Sequence, residues 1–411
     1  RDEAAVAEAA AALRKEGVEA VAVVFINAYA NAAHERAARD AVLSVWPEAR
    51  VTLSSEILPE IREFERTSTT VLNAALQPVV GRYLEKLESA LDRAEFGGAF
   101  HIVQSNGGVM STATARGLPV RTALSGPAAG VIAAAAIAEA AGEDNVVTCD
   151  LGGTSFDVSL IAGGRAATAA ETSIDFGLTI RTPMIEIKTI GAGGGSIARW
   201  DAGGLLAIGP ESAGSRPGPV AYGAGNDRPT LTDANIVLGR INADAPIGGR
   251  LTRLDVAAAR AAIDTHVGAP LGLSVDAAAE TNVRVAGAGL AGARRLVASG
   301  RGRGRACRVA MPFGGGGALH AGALVREVGL KGALIPRYPG VTSALGCVIA
   351  DVRHDEVRTI NLVLSEVDPI RFNALLAEEA QRVRARVEGA GITLAGLDII
   401  AALDMHYVGQ T

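Results

Sequence analysis

The sequence predicts an α/β protein with two sheet-centred lobes. Three observations carry that reading. Ala-rich helical stretches alternate with β-branched runs through most of the 411 residues, the pattern of layered α/β domains. Glycine is in surplus at 50 residues, against an ordinary share of about 7%. Three glycine clusters stand at the ends of expected strands: Gly152-Gly153, Gly191–Gly195 broken only by Ala192, and Gly314–Gly317. At roughly 100–200 residues per domain, the length predicts two to three domains.

The elements follow in order. Asp2–Lys15 is an amphipathic helix. Val18–Ile26 is a continuous β-branched run, expected of a strand covered on both faces. His34–Val45 is helical and stops at Pro47. Arg50–Leu53 is a short strand, and Thr67–Leu91 a long helix kinked or interrupted near Pro78. Phe100–Gln104 is a strand ending in the turn Ser105-Asn106-Gly107-Gly108. Ser125-Gly126-Pro127 starts a helix with a cap residue and an early proline. Val146–Cys149 and Phe156–Ile161 form a hairpin across a glycine turn. Strands are expected near Ala166–Ala170 and Ile185–Ile190, then a Gly/Pro-rich stretch, Gly191–Asn226, with little regular structure. Thr232-Asp233 caps a helix running to Gly239. Asp255–His266 and Val275–Ser299 are helices, Arg308–Pro312 a strand, and Ala318–Val328 a helix after four glycines. The chain then reads as a helix near Ser343–Ile349, a strand Glu356–Leu364, a helix Pro369–Glu388 and a strand Ile399–Tyr407.

Composition narrows the function. With 39 basic and 44 acidic side chains, the formal charge is -5, which excludes a strongly basic nucleic-acid coat. Aromatics are 4%, too few for base-stacking platforms, so no nucleic-acid partner is expected. Three cysteines, Cys149, Cys307 and Cys347, form no disulfide framework and no CxxC pair. They point to a reducing, cytoplasmic compartment and buried free thiols. The longest apolar run, Ala128–Ala138, is broken by Glu139 and is too short and weak to span a bilayer. No secretory leader opens the chain. It starts at Arg1 and stops just after a strand-like stretch, so both ends are expected to be cuts within a longer protein.

The sharpest chemical signal is Asp150-Leu151-Gly152-Gly153-Thr154-Ser155-Phe156-Asp157. An apolar strand delivers Asp150 to its end, and two glycines make a turn whose N–H groups can face an anion. Thr154 and Ser155 add hydroxyl donors. A carboxylate there repels phosphate unless a cation lies between, so Asp150 reads as a Mg²⁺ site, reached through water because Mg²⁺ keeps much of its hydration shell. Asp157 opens the returning strand, placed to orient water or metal. The alternative is a plain Gly-Gly turn with a capping Asp. The second signal, Phe313-Gly314-Gly315-Gly316-Gly317-Ala318-Leu319-His320, lies between a strand and a helix, where glycines let a ring or phosphate approach and the helix N-terminus favours anions. It is not a dinucleotide fingerprint; a tight strand–helix connection is its alternative. The third, Gly191-Ala192-Gly193-Gly194-Gly195-Ser196, also follows a strand. Three such loops suggest strand ends converging on one ligand. The helix start Ser125–Gly130 is a weaker fourth.

Other chemistries lack support. There is no GxxxxGK[ST] and no GxSxG, and His34-Glu35 lacks the second His of HExxH. Asp351, His354 and Asp355, with His320, can be read as a metal or substrate cluster or as ordinary ion pairs. Arg301, Arg303 and Arg305 alternate with glycine as a solvated basic turn or a phosphate contact.

These stretches together resemble the hydantoinase A / 5-oxoprolinase family, which includes N-methylhydantoinase large subunits and acetone carboxylase subunits. The resemblance runs through Ser105–Gly108, Leu124–Gly130, Asp150–Asp157, Thr189–Ser196, Ser212–Gly214 with Pro217–Pro219, and Thr232–Asn235. It continues through Phe313–His320, Pro339–Gly346 and Asp351–Asp355. It implies a two-lobed actin-like fold of the sugar-kinase, ribonuclease H-like kind. It assigns residues 1–140 to the remainder of a first lobe, 141–350 to a second, ATPase lobe, and 351–411 to a return segment opening a C-terminal domain. In that frame Asp150 and Asp157 are catalytic, with Asp150 on the metal. Gly152, Gly153, Thr154 and Ser155 form a phosphate hairpin, and Gly314, Gly315, Gly316 and Gly317 the adenosine-side motif. Two departures stand out. The family's other Asp-x-Gly-Gly-Thr hairpin, near its start, is absent before Asp150, and Ser215-Arg216 precede Pro217 where an acidic residue is expected.

The resemblance implies an ATP- and Mg²⁺-dependent enzyme that hydrolyses a cyclic amide such as a hydantoin or 5-oxoproline, assisted by a B-type subunit. The γ-phosphoryl group of ATP would activate the ring amide oxygen. Two rivals share its machinery: a ketone carboxylase subunit of the acetone carboxylase kind, and a non-catalytic nucleotide-binding module.

Overall fold

A computed structural model of the protein describes residues 2–174, 177–246, 251–299, 308–389 and 394–409, with the backbone alone over 290–299. Arg301, Arg303, Arg305 and Cys307 lie outside the described residues. The architecture is mixed α/β, as expected, and the chain divides into two compact units. One comprises Arg1–Ser125, Ala169–Met184 and Asp351–Thr411, the other Gly126–Thr168 and Ile185–Ala350. The first boundary therefore falls at residue 125 rather than 140, and 351–411 belongs with the first unit instead of standing apart.

In the first unit, Asp2 caps the helix Glu3–Lys15 by accepting the Ala5 N–H. Strands Ala20–Val23 and Arg50–Leu53 pair in parallel, and helix Ala33–Val45 links them. Val23, Ala38 and Leu53 are buried together where these elements meet. Glu35 is fully buried yet satisfied: its carboxylate accepts from Phe25 N–H at 2.9 Å, the Ser54 hydroxyl and Ser55 N–H at 2.8 Å. That is a structural role, which removes any need for a metal at His34-Glu35. Helix Glu63–Arg93 runs through Pro78 without the interruption that is one of the two expectations there, the other being a kink. His101–Val103 and Val109–Ser111 form a hairpin around the 104–108 turn.

The second unit is built on a mixed sheet. Its strand order is Lys188–Ile190, Phe156–Ala162, Asn145–Leu151, Val309–Phe313, Gly332–Ala333, with Arg165–Ala166 pairing on Phe156–Ala162. Val309–Phe313 runs parallel to Asn145–Leu151, while Phe156–Ala162 returns antiparallel. Alternate residues bury opposite faces, the period-2 rule of strands. Val146, Ile161, Met311 and Phe313 meet the helix Ser125–Ala140 through Ala128, Val131 and Ala134. Val147, Cys149, Leu151, Phe156 and Val158 meet Leu324 and Ala192 on the other face. These strands are covered on both sides, whereas Val18–Ile26, expected to be covered likewise, shortens to the strand Ala20–Val23 of a two-stranded sheet, with only Val23 buried and Ile26 exposed.

Several expectations are corrected. Gly191–Asn226 contains an antiparallel ribbon, Ser196–Trp200 with Leu206–Ser212, and a 3₁₀ turn at Val220–Tyr222; its glycines and prolines occupy the connections. The helix near 232 is Leu231–Val237, and its cap is Thr230, in a reciprocal capping box with Asp233. Glu356–Leu364 and Ile399–Tyr407 form no strands. Their alternating pattern suits a strand, but no sheet edge pairs with them among the described residues. Cys149 is buried as expected, whereas Cys347 is exposed. Among the described residues, no helix is long and apolar enough to cross a membrane.

Candidate functional site

The three glycine clusters meet on one hairpin of the second unit. The site grows from the pairing of Asn145–Leu151 with Phe156–Ala162, which sets Asp150 opposite Asp157. Gly152 N–H bonds Ser155 O at 3.0 Å and closes the turn. Beside it, Phe313 pairs with Asp150 in the parallel register, so the glycine motif begins where Asp150 ends its strand. Gly316 N–H donates to Leu151 O at 3.0 Å. The third cluster closes over the turn: Gly194 N–H donates to Gly152 O at 2.9 Å and Gly195 N–H to Gly153 O at 2.6 Å.

Two of these glycines are required by contact. Gly314 has φ +81°, and a Cβ there would lie 2.3 Å from Asp150 Oδ1 and 2.6 Å from Leu151 O. A Cβ on Gly193 would lie 2.6 Å from Thr154 N and from Gly153 C. Side chains at either place would push the loops off the hairpin.

Asp150 and Asp157 form the polar centre. Asp157 accepts from the Thr189 hydroxyl, and from Ser155 Oγ at 3.4 Å. Asp150 accepts from Ser343 Oγ at 3.4 Å. Neither makes an ion pair with Arg or Lys among the described residues. Burial, then the charge of Asp157, pushes the Asp150 carboxyl up to about 6, with Ser343 opposing. Burial also raises Asp157, against the hydroxyls of Thr189 and Ser155. Two half-buried carboxylates held only by hydroxyls suit a divalent cation that keeps most of its water. No group of three or more metal-ligating side chains occurs among the described residues, so waters would fill the other positions of such an ion. Gly153 and Thr154 are exposed at the turn tip, with Gly152 and Ser155 half-buried.

Ser343 carries no chemical signal of its own in the sequence, although it lies in the Pro339–Gly346 stretch. It is placed by Pro339 O, which accepts Gly314 N–H at 2.9 Å, and by the helix Thr342–Ile349. Gly346 lets that helix touch the Ser125–Ala140 helix: a Cβ there would lie 1.8 Å from Ala129 O. Thr232 is drawn in too, donating its N–H and hydroxyl to Gly194 O, each at 2.8 Å.

The second sequence cluster divides between the two units. His320, in the 3₁₀ turn Gly317–His320, is buried in the second unit, its Nε2 3.4 Å from Asn235 Nδ2 and its Nδ1 without a partner. Burial, then Arg240, lowers it to about 4. Asp351, His354 and Asp355 belong to the first unit. There Asp351 is exposed, while Asp355 pairs with Arg353 at 3.0 Å and accepts from Asn106 at 2.6 Å.

The chain is similar to known proteins over most of its length. The family model described as Hydantoinase/oxoprolinase matches residues 66–356, and the Hydantoinase/oxoprolinase N-terminal region matches residues 1–45. The caprolactamase subunit alpha of Pseudomonas jessenii is 36% identical over 412 residues, 100% of this chain and 59% of its own. The crystal structure of the ATP-dependent caprolactamase from Pseudomonas jessenii superposes with TM-score 0.82 at 37% identity, covering 96% of this chain and 57% of that one. A nucleotide-free acetone carboxylase structure gives TM-score 0.78 at 30% identity, over 95% of this chain and 56% of that one. The chain thus spans little more than half the length of these relatives. Matched over most of its length by the family model, the chain belongs to the hydantoinase/oxoprolinase family.

Proposed function

We infer that the protein uses ATP to open a cyclic amide. The observation that carries this reading is the convergence of three glycine loops on the turn beside Asp150 and Asp157. Phosphoryl transfer asks mainly for positioning and charge neutralisation. The turn 152–155 offers N–H and hydroxyl donors to phosphate oxygens, and Gly314–Gly317 keeps the approach free of side chains. Asp150, with Asp157 beside it, would hold Mg²⁺ through water, and that ion would neutralise charge on the transferring group. Thr189, Ser155 and Ser343 fix both carboxylates. The γ-phosphoryl group passes to the ring amide oxygen, breaking its bond to ADP. Water then adds to the activated carbon and the ring C–N bond breaks, the nitrogen taking a proton. A second water releases phosphate.

The amide reading is favoured by the higher identity to an ATP-dependent caprolactamase than to an acetone carboxylase. Similar proteins are named as a caprolactamase subunit alpha and an acetone carboxylase beta subunit, which supports a partner subunit of the B type here, and the ATP dependence by which the two solved structures are described supports a cytoplasmic setting. The deciding experiment supplies ATP-Mg with lactams, hydantoins or ketones, with and without bicarbonate, and identifies the products. Ring-opened amino acid formed in step with ADP supports the reading; a carboxylated ketone requiring bicarbonate replaces it.

A further inference from the structure

Both carbonyls at the tip of the Asp150–Asp157 hairpin are held by one loop. Gly152 O accepts the Gly194 N–H at 2.9 Å, and Gly153 O accepts the Gly195 N–H at 2.6 Å. A trans peptide carries its N–H opposite its C=O. The Gly153 and Thr154 N–H groups are therefore turned together to the side away from loop 193–196. Neither donates to any group among the described residues, and both residues are exposed. Two successive amides facing one way form an anion nest. Gly193 fixes the second of these peptides from its face. A Cβ on Gly193 would lie 2.6 Å from Gly153 C and Thr154 N and 2.7 Å from Gly153 O.

The bonds continue behind the hairpin. The 194–195 peptide, whose N–H holds Gly153 O, accepts at its own carbonyl from the Thr232 N–H and hydroxyl, each at 2.8 Å. The 193–194 peptide, whose N–H holds Gly152 O, accepts from the Ser196 N–H at 3.0 Å; behind it, Gly195 O accepts from the Ala213 N–H at 2.9 Å. Two rows of peptides thus end at the tip. One runs from Thr232 through 194–195 and 153–154 to the Thr154 N–H. The other runs from Ala213 through 195–196, 193–194 and 152–153 to the Gly153 N–H. Every peptide in a row accepts at its carbonyl and donates at its N–H in the same sense, so each row both aims and polarises its last N–H. Among the described residues, the Thr232 hydroxyl is the one side-chain donor in either row.

We propose that Thr232 is a positioning residue for phosphoryl transfer: through the 194–195 and 153–154 peptides it aims the Thr154 N–H at a phosphate oxygen of the nucleotide. This rests on the phosphoryl-transfer reading above and names what sets its grip. Thr232 touches no phosphate itself. Its hydroxyl fixes the tilt of the 194–195 peptide, that peptide fixes Gly153 O, and the trans geometry of the next peptide fixes the direction of the Thr154 N–H. The Gly153 N–H belongs to the other row and is independent of the Thr232 hydroxyl.

The test is titration of pyrophosphate with Mg²⁺ into protein isotopically labelled at its glycine and threonine amide nitrogens, followed by NMR. In the unaltered protein pyrophosphate should move the Gly153 and Thr154 amide protons downfield, as new charge-assisted hydrogen bonds do. Thr232→Val keeps the side chain's shape and removes its hydroxyl. It should weaken pyrophosphate binding about fivefold, the scale of one hydrogen bond, and shrink the shift at Thr154 while leaving that at Gly153. Thr232→Ser restores the hydroxyl and should bind within about twofold of the unaltered protein. A purely structural role for Thr232 would diminish both shifts alike. Undiminished binding by a folded Thr232→Val protein, equal losses in the Val and Ser variants, or equal shrinkage at both amides would overturn the proposal. Should Thr232→Val fail to fold, the unaltered protein still decides: a Thr154 amide that pyrophosphate leaves unmoved would overturn it too. No lactam is present, so the two readings fail separately. Thr232-dependent pyrophosphate binding by a protein that opens no lactam would keep this assignment and sink ring opening. ATP-coupled ring opening with Thr232→Val indistinguishable from the unaltered protein would do the reverse.

Discussion

Replacing Gly314 by Ala tests the placement of the glycine motif against Asp150. Gly314 sits at φ +81°, where an L-residue costs roughly 1–2 kcal/mol. The added Cβ would lie 2.3 Å from Asp150 Oδ1, 2.6 Å from Leu151 O and 2.9 Å from Leu151 C. The carboxylate can swing, but the Leu151 backbone is fixed in the sheet by its Phe156 partner. The loop must therefore retreat by roughly an ångström, an overpacking cost of about 1–3 kcal/mol. Together these give about 2–5 kcal/mol of destabilisation. Gly315 is the internal control: its φ is not positive, and nothing lies within 4 Å of a Cβ there. Gly315→Ala should stay within about 0.5 kcal/mol. Urea unfolding of both variants decides the matter. A Gly314→Ala protein as stable as Gly315→Ala would mean that the motif does not rest on Asp150, and the site geometry would fall with it.

Two further expectations concern the frame around the site. Asp233 is fully buried and accepts from Val220 N–H, Ala221 N–H, Thr230 N–H and the Thr230 hydroxyl, at 2.8–3.0 Å; Asp233→Ala should cost at least about 3 kcal/mol by leaving several of these unpaired, and a loss under 1 kcal/mol in chemical denaturation would contradict that role. His320 is held neutral, its pKa lowered from 6.5 to about 4. The unfolded chain therefore binds its proton more readily, and stability present above pH 6.5 is lost as pH falls towards 4. Between pH 7 and pH 5 that amounts to about 2 kcal/mol. His320→Asn should lack that slope, and identical pH profiles for variant and parent would refute the assignment.

Local signals were legible and distant ones were not. The Asp150–Asp157 hairpin could be read because two apolar runs flank a Gly-Gly turn, and Ser125–Ala140 because an early proline opens its apolar run. Convergence of the three glycine loops could be suspected from their places at strand ends. What joined them could not: Ser343 reaches Asp150 from 193 residues away, and nothing in either segment announces the partner. Strand pattern misled at 356–364 and 399–407, because alternation describes a face and not the neighbouring edge that makes a strand. The reverse held at 196–212, where dense glycine and proline masked a ribbon whose pairing is local. At Thr230 the cap lay two residues before Thr232 because Asp233 completes a capping box with Thr230.

In the proposed reaction Asp150 anchors ATP-driven ring opening, and one substitution tests that role directly. Asp150→Asn keeps the side chain's size and removes the charge that would hold the cation. Lactam-dependent release of phosphate and of ring-opened product should proceed in equal amounts with the unaltered protein together with the proposed partner subunit. Both should fall together by at least ~10²-fold in the folded variant, as expected for electrostatic contributions of several kcal/mol at such sites. Undiminished coupled turnover by a folded Asp150→Asn protein would contradict the account.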